Sequence, residues 1–350
     1  MPLLQNVIRA QDIDKQTIFE IFRLAKEAEE RLAENKFSMM EIFPGRIMAV
    51  LFYEPSTRTR LSFESAMIKL GGRIIGTENA KEYSSKAKGE SLEDTTRTIN
   101  GYGVDVVVLR YHKEGGAQRA QNFLHAPLLN AGDGTGQHPT QGLLDLYTIH
   151  KEFGTLKNLD IALVGDLLNG RTVRSLCYFI GKRFPKNKIH LVSPPQTKMK
   201  DDIKDYLTRK GVWFQELDKF DDILPDIDVL YQTRVQEERF KPKLPNYLDV
   251  ASAVIKLIYK PEEAAEILKG MREQYSDDSN EYKKVVTASK HLIITPEVAN
   301  KMKESAIIMH PLPRKGEILY SVDSDPRARY FEQAENGLYV RIALLQLLLK

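Results

Sequence analysis

Ile47-Met48-Ala49-Val50-Leu51-Phe52-Tyr53-Glu54-Pro55-Ser56-Thr57-Arg58-Thr59-Arg60 decides how this chain is read. Its first half is a short apolar run rich in β-formers, stopped by Pro55, which predicts a buried strand. Beyond it Phe63, Ala66, Met67 and Leu70 recur at i, i+3, i+4 and i+7. That spacing predicts a helix with Ser56 or Thr57 as N-cap and Gly71-Gly72 as its close. A helix beginning here leaves backbone N–H groups without intrahelical partners, and their partial positive charge favours an anion. Arg58 adds a planar fork matched to phosphate oxygens. Three hydroxyls and two guanidiniums at a strand-to-helix turn therefore predict a phosphate grip.

Composition limits what that grip can serve. The 350 residues suffice for two domains and a large core. Lys+Arg of 51 against Asp+Glu of 48 leaves a net charge of only +3, with no dense basic block, which argues against nucleic-acid binding. The single cysteine, Cys177, cannot form an internal disulfide. With no signal-peptide pattern in Met1-Pro2-Leu3-Leu4-Gln5 and no apolar run of membrane-spanning length, the expected setting is the cytoplasm and no membrane. Asp14 is expected to cap a helix whose face carries Ile18, Ile21, Phe22, Ala25 and Leu32.

Strand-like runs at Val104–Leu109, Leu159–Val164, Ile189–Val192, Val212–Leu217 and Ile227–Tyr231 alternate with helical patterns. The expected fold is α/β, with two doubly wound domains built on parallel sheets. A helix opening at Pro139 is expected to link them, and an apolar helix over Tyr339–Leu349 to return to the first domain. In such sheets ligands gather beyond the carboxyl ends of the strands.

Four polar clusters stand at such ends. Gly136-Gln137-His138-Pro139-Thr140-Gln141 offers an imidazole to a carbonyl oxygen and an amide to an N–H group. Gly165-Asp166-Leu167-Leu168-Asn169-Gly170-Arg171 lacks G-x-G-x-x-G spacing, which disfavours a dinucleotide, whereas Arg171 suits a carboxylate. Tyr231-Gln232-Thr233-Arg234-Val235-Gln236 supplies a second arginine and an amide. His310-Pro311-Leu312-Pro313-Arg314 is a rigid turn whose Leu312 carbonyl is an acceptor. The histidines are scattered, without metal-ligand spacing, and no Walker A or G-x-S-x-G is present, so neither metal nor organic cofactor is expected.

With these clusters assembled, nearly the whole chain resembles the aspartate/ornithine carbamoyltransferase family. Phe52-Tyr53-Glu54-Pro55-Ser56-Thr57-Arg58-Thr59-Arg60, His138-Pro139-Thr140-Gln141, Gly170-Arg171-Thr172-Val173, Thr233-Arg234-Val235-Gln236 and His310-Pro311-Leu312-Pro313-Arg314 occur in family order. The last two motifs resemble the aspartate branch. The resemblance implies carbamoyl transfer from carbamoyl phosphate to L-aspartate in pyrimidine synthesis. It implies that Ser56, Thr57, Arg58 and Thr59 hold the phosphate, and that Thr57, Arg110 and His138 polarise the carbonyl. Gln141, Leu312 and Pro313 would meet the carbamoyl group, while Arg171, Arg234 and Gln236, with Arg110, would hold aspartate. The proton acceptor stays open.

The resemblance further implies a homotrimer with shared sites, in which Ser84 and Lys88 reach the adjacent subunit's anions, and it leaves a separate regulatory chain open. Ala87 departs from the basic residue of many relatives. The implied domains are 1–142 with 336–350 for carbamoyl phosphate, and 143–335 for aspartate. A helical insertion at about 241–280 makes the chain roughly 35 residues longer than the family pattern, with Ala264, Leu268, Met271 and Tyr275 on one face. The rival readings are a carbamoyltransferase for another amine such as ornithine, and a non-catalytic paralogue.

Overall fold

The computed structural model describes residues 4–78, 80, 89–236 and 283–350. Ser84, Lys88 and the insertion at 241–280 lie outside the described residues. Two wholly parallel sheets organise the rest. In the first, the order is β2 (Arg73–Thr77), β1 (Ile47–Phe52), β3 (Val106–Tyr111), β4 (Leu128–Asp133). In the second it is β7 (Trp213–Leu217), β6 (Lys188–Val192), β5 (Asp160–Val164), β8 (Val229–Gln232), β9 (Ile307–Met309). This is the α/β architecture expected from the alternating runs.

The inner strands read as continuous apolar runs because both of their faces are covered. Met48, Val50 and Phe52 of β1 face one hydrophobic cluster, and Ala49 and Leu51 face another, as the two-residue period of a strand requires. On the second sheet Ile161 and Leu163 share the first cluster, while Ala162 and Val164 join a third. One core therefore continues from sheet to sheet. Each fully buried Val, Leu, Ile or Phe in it is worth roughly 1.5–3 kcal/mol.

Helices supply the covers. α1 (Lys15–Glu34) starts at Asp14, whose side chain accepts from the Thr17 N–H at 2.7 Å, and buries Ile18, Ile21, Phe22 and Ala25. α2 (Thr57–Lys69) follows β1, with α3 (Leu92–Asn100) and α4 (Gly116–Gln121) on the same half of the molecule. α5 (Pro139–Phe153), with Pro139 in its first turn and Gly154 left-handed at its close, joins β4 to β5. α6 (Arg171–Arg183) and α7 (Asp201–Arg209) flank the second sheet, and α8 (Pro296–Ala299) is a single turn.

The final helix, α9 (Tyr330–Leu349), packs on α1, α2 and α5. It begins nine residues before the predicted Tyr339. Gly337 is buried inside the helix. A Cβ there would stand 2.4 Å from an Arg341 nitrogen and 3.1 Å from Leu144, so the glycine permits close approach of α5. β2 and β4 were not foreseen. β2 is a half-exposed edge strand, and β4 carries Asn130, Gly132 and Asp133. No helix among the described residues is long and apolar enough to cross a membrane.

Candidate active site

A cleft of about 970 Å³ opens between the two sheets, at the carboxyl ends of β1, β3, β5, β8 and β9. It is lined by all the predicted site residues that are described: Ser56 to Thr59, Arg110, His138, Gln141, Arg171, Arg234, Gln236, Leu312 and Pro313. Among the described residues, five arginines and one carboxylate, Glu54, line it. Such an excess of positive charge in a partly desolvated cleft calls for anions.

The first half of the cleft is the start of α2. Ser56 occupies the N-cap position in an extended conformation, yet its hydroxyl caps no backbone N–H. The first intrahelical bond is Arg60 N–H to Ser56 O at 3.2 Å, which leaves the N–H groups of Thr57, Arg58 and Thr59 ahead of the ladder. Arg58 has its pKa lowered by burial and by the charge of Arg234. The negative charge of a bound anion would offset both effects.

His138 stands between the halves, at the N-cap of α5, where its backbone N–H donates to Ser175 Oγ at 2.8 Å. Its ring Nδ1 lies 3.2 Å from the Thr140 hydroxyl. When Thr140 donates, the proton sits on Nε2, the nitrogen suited to polarising a carbonyl. Burial, then the charges of Arg171, Arg110 and Arg341, push its pKa well below the usual imidazole value. It is a neutral donor. Arg110 reaches Ala131 O at 3.4 Å and has its Nε 3.7 Å from Glu54.

In the second half, Arg171 donates to Glu54 at 3.0 Å and to Gly134 O at 3.1 Å. Gly132 makes room for it: with φ at 115°, a Cβ there would lie 2.8 Å from the guanidinium carbon. Arg234 donates to Val235 O at 3.3 Å, and the Gln236 backbone N–H to Asp166 at 3.1 Å. Asp166 thus orders the loop after β8 from the loop after β5.

The fourth side is the turn at His310. Leu312 N–H donates to His310 Nδ1 at 2.8 Å, while His310 Nε2 meets Glu317 at 2.8 Å. Leu312 adopts φ 49°, a left-handed conformation rare for a branched side chain. Behind Gln141 lies Asp145, which is fully buried and accepts from Gln141, Gln333 and Tyr231. Burial pushes its pKa up to about 7, against those three donors and Arg341.

Sequence reasoning missed Glu54 as the anchor of two arginines, although it quoted the residue, and it missed Gly132, Asp145, Gln333 and Arg341. The last two sit on α9, where no motif marks them. Arg341 is almost wholly buried, stacks over Phe63 at 5.0 Å, and has its pKa lowered to about 10 by burial.

Comparison with known proteins gives the same assignment. A family model described as "Aspartate/ornithine carbamoyltransferase, carbamoyl-P binding domain" matches residues 5–151, and its "Asp/Orn binding domain" counterpart matches residues 262–348. The chain is 48% identical over 346 residues to the Arabidopsis thaliana protein named aspartate carbamoyltransferase, chloroplastic, covering 99% of this chain and 78% of that one. It is 43% identical over 347 residues to the aspartate carbamoyltransferase catalytic subunit of Methanocaldococcus jannaschii, covering 99% and 98%. The crystal structure of aspartate transcarbamoylase from Trypanosoma cruzi, in complex with carbamoyl phosphate and aspartate, superposes with a TM-score of 0.83 at 34% identity, covering 99% of this chain and 97% of that one. Site geometry, family models and relatives agree, and the chain belongs to the aspartate/ornithine carbamoyltransferase family.

Proposed function

We propose that this chain transfers the carbamoyl group of carbamoyl phosphate to the α-amino group of L-aspartate, releasing N-carbamoyl-L-aspartate and phosphate in pyrimidine synthesis. The observation that carries this reading is the cleft itself, where, among the described residues, a helix N-terminus and five arginines face a single carboxylate. One cation set stands at each end. The end bearing Arg171, Arg234 and Gln236 suits the two carboxylates of aspartate, whereas the ammonium of ornithine would meet like charge there.

In this mechanism the N–H groups at the start of α2, with Ser56, Thr57, Thr59 and Arg58, hold the phosphate and stabilise its charge as it leaves. Thr57, Arg110 and neutral His138 donate to the carbonyl oxygen, where negative charge grows as the amine attacks. Gln141 and the Leu312 carbonyl accept from the carbamoyl N–H groups, with Pro313 fixing the turn. A C–N bond forms as the C–O bond to phosphate breaks. The departing phosphate takes the amine proton, because Glu54 is held by Arg171.

The reading includes a homotrimer whose sites are completed by Ser84 and Lys88 of a neighbouring copy. Exposed Leu61 and Ile68 on α2 and Ile75 on the edge strand β2 support an interface on that side. Mass in solution, with and without a bisubstrate phosphonate, tests it. A cytoplasmic site of action is part of the proposal and is supported by the lone Cys177, which has no second cysteine to pair with.

Label from carbamoyl phosphate should enter aspartate and not ornithine; the reverse would overturn the reading. Arg58→Ala should lower kcat by about 10²- to 10³-fold with the circular dichroism unchanged. Full activity in that variant would refute the phosphate assignment.

A further inference from the structure

Asp145 is a fully buried carboxyl that takes hydrogen bonds from three different elements and lies within the field of buried Arg341. It lies one helical turn after Gln141 on α5, with no exposed surface. Its Oδ1 accepts from Gln141 Nε2 at 2.9 Å and from Gln333 Nε2 at 2.7 Å, and its Oδ2 accepts from the Tyr231 hydroxyl at 2.9 Å. Two amide groups thus converge on one oxygen. Only an acceptor satisfies both, in either protonation state of the carboxyl.

That convergence has a directional consequence. A glutamine amide can turn over, exchanging its oxygen for its NH2 with little change in shape. Because Asp145 holds the NH2 end of Gln141, Oε1 is the end left for the cleft that Gln141 lines. Gln333 is pinned at both ends: its NH2 reaches Asp145, and its Oε1 accepts the His310 backbone N–H at 2.8 Å. His310 in turn accepts the Leu312 N–H at 2.8 Å. One carboxyl therefore sets a side-chain oxygen directly and a backbone carbonyl through two further bonds.

We propose that Asp145 is the positioning residue that makes the cleft select a carbamoyl group over an acyl group of the same shape. It does so by aiming two acceptors, Gln141 Oε1 and the Leu312 carbonyl, at the N–H groups only a carbamoyl possesses. Without Asp145 the Gln141 amide is free to present NH2 toward NH2, a mismatch that no rearrangement within the amide can relieve while it stays flipped. Tyr231, at the end of β8 and three residues before Arg234, ties the same carboxyl to the strand that presents the other half of the cleft. This inference rests on the roles proposed above for Gln141 and Leu312.

The probe pair is carbamoyl phosphate and acetyl phosphate, which differ by NH2 against CH3 and share every phosphate contact. Dissociation constants for both are measured by calorimetry without aspartate, on the full-length protein, for wild type, Asp145→Leu, Asp145→Asn and Gln141→Ala. Asp145→Leu should weaken carbamoyl phosphate by about tenfold, the worth of one or two hydrogen bonds, and leave acetyl phosphate within twofold. Asp145→Asn should keep most of the preference, since its oxygen can take the Oδ1 position while its NH2 donates to Tyr231. Where Asp145→Leu does not fold, Asp145→Ala is read in the same way. Equal weakening of both ligands, or none, with Asp145→Leu overturns the inference, as does loss of preference in Asp145→Asn equal to that in Asp145→Leu. Gln141→Ala separates the levels: if it too leaves the preference intact, the assigned role of Gln141 fails; if it removes the preference while Asp145→Leu does not, only the role of Asp145 fails.

Discussion

Replacing Glu54 with Gln asks whether this carboxylate, the only one lining the cleft among the described residues, competes with the substrate or prepares for it. Glu54 lies 3.0 Å from Arg171 and 3.7 Å from Arg110, with all three side chains largely covered. At an effective dielectric constant of about 20, the gross attractions are roughly 5.5 and 4.5 kcal/mol. Desolvation and the other arginines offset most of this, and a hydrogen bond to a charged group is worth about 1.5–3 kcal/mol net. Gln keeps the shape and one acceptor but drops the charge. Arg171 and Arg110 then repel each other without an anion to hold them, and kcat/KM for aspartate should fall about 10- to 100-fold. Phosphate should behave oppositely, because a negative charge has left its neighbourhood: inhibition by inorganic phosphate should be unchanged or stronger. Steady-state kinetics with aspartate varied, and phosphate as competitor against carbamoyl phosphate, read both effects. If Glu54→Gln saturates at lower aspartate than wild type, Glu54 is merely a competitor for Arg171 and the preparatory role is wrong.

Gly132→Ala should lower the melting temperature by an amount set by about 1–3 kcal/mol of backbone strain, and it should also raise KM for aspartate by displacing Arg171. Gly45→Ala is the control: Gly45 also has positive φ, at 82°, but its Cβ would meet nothing within 4 Å, so it should cost stability without touching KM. His138 should remain neutral at pH 6, since burial and Arg171, Arg110 and Arg341 depress its pKa from 6.5. The unfolded chain binds that proton first, so this contribution to stability is complete above pH 6.5 and is lost as pH falls toward the depressed value. Nitrogen chemical shifts of labelled histidine would show it, and a midpoint at or above 6.5 would contradict it. Asp145 runs the other way: with its pKa raised from 3.8 to about 7, its contribution is complete below 3.8 and is lost as pH rises through about 7.

How much of this was legible in the sequence follows from where each interaction is encoded. The strand-to-helix turn at Ser56 was readable because both of its causes are local, an apolar run stopped by Pro55 and an i, i+3, i+4 stripe after it. Arg171, Arg234 and Leu312 were found because each stands just beyond a strand, where an α/β sheet exposes its loops. β4 was missed because Asn130 and Gly132 break its pattern, and both residues do work that spans the fold. Asn130 donates to Ile8 O at 2.9 Å across 122 positions, and Gly132 clears space for the Arg171 guanidinium at the start of α6. Asp145 was invisible for a related reason. In the sequence it is a lone acid on an apolar helix face, which argues against burial unless it is paired. Its three partners lie at 141, 231 and 333, and only the closed fold brings Tyr231 and Gln333 to it. Motifs mark groups that touch a ligand from a shared loop. A group that aims those residues from behind is marked by nothing nearby, so its role has to be read from which donor meets which acceptor.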